Sequence, residues 1–221
     1  MSTPFIDIHT HHPVISKEIV SVGSIFLQEI EPFSKLNTPF SAAIHPWHAD
    51  QFDSGQVSNM LKNLINQPEL IAVGETGLDK ACSTNYQHQK ELFELHLHFA
   101  EKYHKPLILH TVKSWNELQG YLKRSKLTCI LHGYAEGIAL TRQLIDLGCY
   151  FSLGKSLLNI TPRIREAIQI IPVTSMFLET DDSRESIINL YRELSETINI
   201  PIDILKNLIY NNFVELSKFK P

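Results

Sequence analysis

Three cysteines in 221 residues, Cys82, Cys129 and Cys149, are odd in number and too widely spaced for a disulfide framework or a Cys-rich zinc site. A reducing, cytoplasmic setting is the expectation. Basic charge is also short. Twenty Lys and Arg stand against 24 Asp and Glu, a formal net charge of −4, so bulk charge does not hold the chain to nucleic acid and any phosphate binding must be local. No apolar run approaches the roughly 20 residues of a membrane helix, and Met1-Ser-Thr-Pro-Phe5 lacks the basic start and apolar stretch of a signal peptide. Linkers, charge runs, low-complexity tracts and strong internal repeats are missing too. Residues 1–221 are therefore expected to form a single domain, a length that α/β barrels reach as one unit. Such a barrel buries its own core and no separate association element is visible, so a monomer is expected.

What the chain does have is a recurrence of short aliphatic and β-branched runs separated by amphipathic stretches, the pattern of βα units around a parallel sheet. The runs are Phe5 to His11, Glu18 to Ile25, Phe40 to His45, Leu70 to Glu75, Pro106 to His110, Thr128 to His132, Cys149 to Leu153, and Met176 to Asp181. Eight is the number that closes a (β/α)8 TIM-type barrel. Helices are predicted over Val57 to Ile65, Asn85 to His104, Ser114 to Leu122, Ile138 to Leu147 and Pro162 to Ile170, with two or three more from Arg184 to the end. Thr161 before Pro162 suits an N-cap, and Gly148 suits a stop.

Histidine is plentiful, with 11, and several lie at strand ends. In a parallel barrel all strand C-termini open on one face, so residues distant in sequence converge there. The first strand ends Asp7-Ile-His-Thr-His11, and the i, i+2 spacing of His9 and His11 in extended chain turns both imidazoles to one side. Glu75 ends the fourth strand, His110 the fifth, His132 the sixth and Asp181 the eighth. Four imidazoles with one Glu and one Asp suffice for two divalent ions with open positions for water. Mixed nitrogen and oxygen ligation suits Zn²⁺ or Mn²⁺. By contrast His88, His96, His98 and His104 fall on a helix outside the barrel, where solvated or packed roles are expected. His45, in Ala43-Ile-His-Pro-Trp47, either contacts a substrate phosphate or caps the Pro-Trp turn. Lys80, Lys113, Lys155 and Arg184 each follow a different strand end within a few residues and would bind an anionic substrate.

These pieces together resemble the TatD-type deoxyribonucleases, metal-dependent hydrolases on an amidohydrolase-like barrel. The matching residues are Asp7-Ile-His-Thr-His11, Ile44-His-Pro-Trp47, Val73-Gly-Glu-Thr-Gly-Leu-Asp79, Gln89 and Phe93, Pro106-Leu-Ile-Leu-His110, His132, Glu179-Thr-Asp181 and Asn212-Phe213. The resemblance implies that His9, His11 and Asp181 hold one metal, that His110 and His132 hold the second, and that Glu75 bridges them. It implies Asp181 as general base, adds Mg²⁺ to the candidate ions, and implies DNA or a nucleotide-containing molecule as substrate, trimmed from its ends. Family members usually carry an Arg two residues after the fifth-strand His, where this chain has Val112 followed by Lys113. A Lys cannot give the bidentate hold of Arg. Asp182-Ser-Arg184 and Gly133-Tyr134 also depart from the pattern, and the first βα connections are short. The alternatives are an amidohydrolase-type enzyme acting on a carbonyl ester, amide or lactone, and a catalytically weak metal-binding scaffold.

Overall fold

The computed structural model describes residues 3–29, 38–125 and 127–219. Its strands are β1 Phe5–Thr10, β2 Ile19–Phe26, β3 Phe40–Ala43, β4 Leu70–Asp79, β5 Leu107–Val112, β6 Cys129–Leu131, β7 Tyr150–Leu153 and β8 Met176–Leu178. They run in chain order through one eight-stranded sheet. The helices are α1 Ser54–Leu64, α2 Tyr86–Tyr103, α3 Trp115–Leu122, α4 Ile138–Asp146, α5 Pro162–Ile170, α6 Ile187–Ile198 and α7 Ile202–Ser217. From β3 onward strand and helix alternate, which is the (β/α)8 class expected from the sequence. No helix among the described residues is long and apolar enough to cross a membrane.

The chain groups into two compact units, residues 1–23 with 131–221, and residues 24–130. In the first, β1 and β2 pair in parallel from Phe5 opposite Ile19 to Thr10 opposite Gly23, and β7 pairs with β8. Between Asp7 and Thr10 β1 advances three residues while β2 advances two, a bulge that re-aims the side chains around His9. Thr10 bridges to Asp181, so the segment that follows β8 is hydrogen-bonded to the end of β1. β8 stops at Leu178, short of the expected Asp181, which itself takes a left-handed backbone with φ 54. The core of this unit is Ile6, Ile8, Phe151, Phe177, Tyr191 and Phe213, all inaccessible to solvent. Tyr191 comes from the apolar stripe Ile187, Leu190, Tyr191, Leu194 of α6. Its buried hydroxyl accepts from the Ile6 N–H and donates to the Ile6 carbonyl. Asn212 of α7 likewise donates to the Val173 and Met176 carbonyls, tying the last helix to the start of β8.

In the second unit β3 pairs with β4 and β4 with β5. β4 runs four residues beyond the expected Glu75, and all ten of its residues are buried. It carries its own bulge, three residues from Val73 to Thr76 against two from Leu107 to Leu109. Gly77 has φ +150, and a Cβ there would run into the His110 carbonyl, so only glycine lets β4 pass so close to β5. α2 is capped by Asn85, which accepts from the Gln87 and His88 N–H groups. It buries Leu92, Phe93, His96, Phe99 and Ala100 at helical spacing, as expected, and closes at His104 in the left-handed region before Pro106.

His96 is fully buried and structural. Its Nε2 accepts from the Ile44 N–H at 3.1 Å and its Nδ1 donates to the Leu92 carbonyl. Burial pushes the imidazole down from 6.5 to about 4, because a second ring proton would face the Ile44 N–H in a dry site. Between those values the unfolded chain binds the extra proton. The stability from neutral His96 is thus complete above about pH 6.5 and falls as pH drops toward about 4, by roughly 3 kcal/mol in full. Asp7, raised by burial to about 7, titrates with the opposite sign in the same window, so the quantity to read is a difference between proteins. Urea midpoints at pH 7.5 and 5.0 should converge when wild type is compared with His96→Gln, which keeps an acceptor for Ile44. An unchanged gap would show that His96 does not carry this dependence.

Candidate metal centre

In the unit of residues 1–23 and 131–221, His9, His11 and Asp181 are brought together. The Nε2 atoms of both histidines lie 3.7 Å from one oxygen, Asp181 Oδ1. That is too long for a hydrogen bond, but ligands held at about 2.0–2.1 Å by one tetrahedral ion stand roughly 3.4 Å apart. One ligand atom from each of the three residues fits within 4.8 Å of the others. His9 is wholly buried and His11 a quarter exposed, giving the cluster an inner and an outer donor. The position of Asp181 is fixed from the main chain. Its N–H donates to the His9 carbonyl, its own carbonyl accepts from the His11 N–H, and its left-handed φ turns the carboxylate at the strand end. Asp is among the few residues that tolerate this conformation.

His132 follows β6 and packs its ring 4.4 Å from that of His9. It is held by Glu179, a residue the sequence left without a role. The carboxylate, 1% exposed, accepts from His132 Nδ1 at 2.9 Å and from the Gly133 N–H at 2.7 Å. A Cβ on Gly154 would press on the Glu179 side chain, so the carboxylate occupies a cradle that glycine leaves open. Burial works to raise this carboxyl. The charge and hydrogen bond of His132 outweigh it and hold the group below its ordinary range. With Nδ1 so engaged, the Nε2 of His132 is the nitrogen presented to a ligand, the arrangement by which carboxylates orient metal-binding imidazoles.

In the unit of residues 24–130 the centre is Glu75, 4% exposed at the β4 bulge. His110 Nδ1 lies 2.7 Å and His45 Nε2 3.3 Å from the same oxygen, Glu75 Oε1. These three residues form another set whose ligand atoms fall within 4.8 Å of one another. His110 also turns Nε2 toward Asp79 Oδ2 at 3.2 Å, placing its ring between two carboxylates. Both contacts are satisfied by a protonated ring, or by a cation standing at one of the nitrogens. Asp79 closes the network by accepting from the Trp47 indole at 2.8 Å and from the Ala81 and Cys82 N–H groups. Burial opposes its ionisation, but these donors and His110 hold the carboxyl low. Gln89 fixes the same turn from α2, accepting from the Asp79 N–H and donating to its carbonyl.

Of the two roles open to His45, it takes up the turn cap, with Nδ1 accepting from the Trp47 N–H at 3.1 Å. Its other nitrogen faces Glu75. Burial lowers its pKa, and the neutral form retains lone pairs. The cationic residues are more dispersed. Lys80 is paired with Glu117 and lies over the Tyr86 ring, and Lys155 stands 3.6 Å from Asp182 with both side chains 71% exposed. Lys155 borders a small cleft of about 180 Å³ with Gly133, Gly154, Ser156, Glu179 and Asp181. Arg184 lines another, of about 520 Å³, with Asp7, His12, Ser21 and Thr180. Lys113 is exposed just beyond β5, with φ 54.

The chain is similar to known proteins. The chain is 30% identical over 151 residues to the uncharacterized metal-dependent hydrolase TatD of Mycobacterium tuberculosis, a match covering 64% of this chain and 56% of that protein. It is 28% identical over 205 residues to the uncharacterized metal-dependent hydrolase YjjV of Escherichia coli, covering 80% of this chain and 78% of YjjV. The crystal structure of YjjV superimposes over the whole of both chains with a TM-score of 0.84 at 21% identity. A TatD-family hydrolase from Entamoeba histolytica does so over 98% of this chain with a TM-score of 0.79 at 16% identity. The family model of the TatD-related DNases matches residues 24–218, and the chain belongs to that family.

Proposed function

We propose that the protein is a metal-dependent phosphodiesterase that shortens DNA from its ends. The observation that carries this reading is that, in each unit, two imidazole nitrogens converge on a single carboxylate oxygen, Asp181 Oδ1 in one and Glu75 Oε1 in the other. At 3.7 Å the contacts to Asp181 are too long for hydrogen bonds and suit ligands of one divalent cation, whereas at Glu75 the 2.7 Å contact from His110 is a hydrogen bond within a donor set of the chemistry such a cation takes. His9, His11 and Asp181, with His132 beside them, would hold one ion, and Glu75 with His110 and His45 the other. When bound, Zn²⁺, Mn²⁺ or Mg²⁺ would supply a water acidified toward neutral pH and positive charge for the phosphoryl oxygens. Asp181 accepts the proton of the attacking water, its carboxylate set at the strand end by the backbone of His9 and His11. Glu179 keeps the His132 ring in one orientation and one tautomer. Lys155 and Arg184, at the two clefts beside Asp181 and Asp7, would meet the anionic chain.

A second reading, hydrolysis of a carbonyl ester, amide or lactone, draws on the pairing of Lys80 with Glu117 and the closeness of Lys155 to Asp182. Those carboxylates offset cationic charge that a phosphodiester would need. One assay separates the two. A 3′-labelled single-stranded oligodeoxynucleotide is incubated with metal-stripped protein to which Mg²⁺, Mn²⁺ or Zn²⁺ is restored, beside a panel of uncharged esters and lactones.

Metal-dependent loss of terminal nucleotides is the expected result, and Glu75→Ala should lower it more than about 100-fold while keeping a cooperative melt. Normal turnover by that variant sinks the metal reading. Glu179→Gln, which keeps the shape but removes the charge behind His132, should weaken metal binding about 10–100-fold in a competition titration with a chelating dye. Wild-type affinity would reduce Glu179 to a packing residue.

A further inference from the structure

Trp47 has no part in the hydrolytic reading, yet its setting is unusual for an indole. It is 55% exposed, so the ring forgoes much of the stabilisation that burying an aromatic side chain brings. It is also held on several sides. The indole N–H donates to Asp79 Oδ2 at 2.8 Å, and Asp79 is itself 3% exposed and anchored by the Ala81 and Cys82 N–H groups. The Trp47 backbone N–H donates to His45. The ring meets that imidazole at 4.7 Å between centroids and 76°, and the His110 ring at 5.9 Å and 79°. An aromatic surface is thus fixed in orientation against two of the three residues of the His45, Glu75 and His110 cluster, while half of it remains open to water.

The open side borders a cleft of about 370 Å³ whose other walls are Asp79, Ala81, Cys82 and Ser83. No Lys or Arg lines it, so it is unsuited to a phosphate. The Asp79 carboxylate is already engaged by its donors, so it does not call for a cation. What remains is a rigid π-surface, the small side chains of Ala81, Cys82 and Ser83 beside the engaged Asp79, and a volume in the range of small-ligand pockets. The turn requires none of this exposure, because His45 caps it through the backbone.

We propose that Trp47 is a stacking platform for a planar heteroaromatic ring, the nucleobase beside the phosphodiester that is cut. The proposal rests on the phosphodiesterase reading for the identity of the ring. Stacking accepts any base, since every base has a π-face, and a platform fixed before binding loses little conformational freedom when the ring arrives.

The chain has two tryptophans, Trp47 and Trp115, so Trp115→Phe leaves Trp47 as the sole indole reporter. Metal-loaded protein of this kind is titrated with dAMP and, separately, with deoxyribose 5-phosphate, which carries the same phosphate without a ring. Quenching and a shift of Trp47 emission with dAMP alone are expected. In the protein retaining Trp115, Trp47→Ala should weaken dAMP binding roughly tenfold by calorimetry, and Trp47→Phe should keep most of the affinity. Equal responses to both ligands, or unchanged dAMP affinity in Trp47→Ala, overturn the platform. Failure of the underlying reading looks different: no oligonucleotide is cut with any ion, whichever way the emission moves.

Discussion

A carboxylate removed from water must be given donors or a cation, and this requirement organises both units of the chain. In the unit of residues 24–130, Glu75 and Asp79 are 4% and 3% exposed, and both take a nitrogen of His110. In the other unit, Glu179 is held by His132 and Gly133, and Asp7 accepts from the Thr180 N–H and hydroxyl. A fold needing only a core would place Leu or Val at these strand ends. Four buried acids with imidazoles aimed at three of them are costly unless the set has a task, and cation binding is the task that uses both residue types at once.

Two bulges make the arrangement possible. A regular strand alternates its side chains, so Glu75 and the residues following it would keep a strict two-sided order along β4. The extra residue between Val73 and Thr76 breaks that order, as the one between Asp7 and Thr10 does in β1. Bulges commonly re-aim side chains near active sites. Gly77 belongs to the same device, because β4 must pass the His110 carbonyl too closely for any Cβ.

Much of this was legible in the sequence. Short aliphatic and β-branched runs marked the strands, most of them near-continuously apolar because both faces are buried, although in β1 Ile6 and Ile8 alternate with Asp7 and His9. The periodicity of α2 marked a helix over Asn85 to His104, because helical spacing is a local signal. The strand-end histidines stood out because a barrel puts such positions on one face. Less visible were residues whose role depends on a partner far along the chain. Tyr191 reads as one more apolar position of α6 until Ile6 is beside it, 185 residues away in sequence. Asp79 and Glu179 stood within recognised motifs, but only their burial shows that each must serve a neighbouring histidine. The extension of β4 from Glu75 to Asp79 was hidden because Gly77 interrupts the run, although the close approach to β5 requires a glycine there.

The electrostatics of the clefts bear on what such a site would hold. The net charge of −4 already argues against a general attraction to polyanions. At the residue level the cations are partly offset as well, Lys80 by Glu117 and Lys155 by Asp182, and the usual family Arg is replaced by Val112. Charge for a phosphodiester would then come chiefly from bound ions, which act on the one or two phosphates within their reach rather than on a long stretch of backbone. Such a site favours a chain end over the middle of a duplex, because an end offers its last phosphate without requiring the enzyme to neutralise many neighbours. On the proposed reading, a fixed aromatic beside that phosphate would add hold without adding charge, and binding energy would shift from the phosphate backbone to the base.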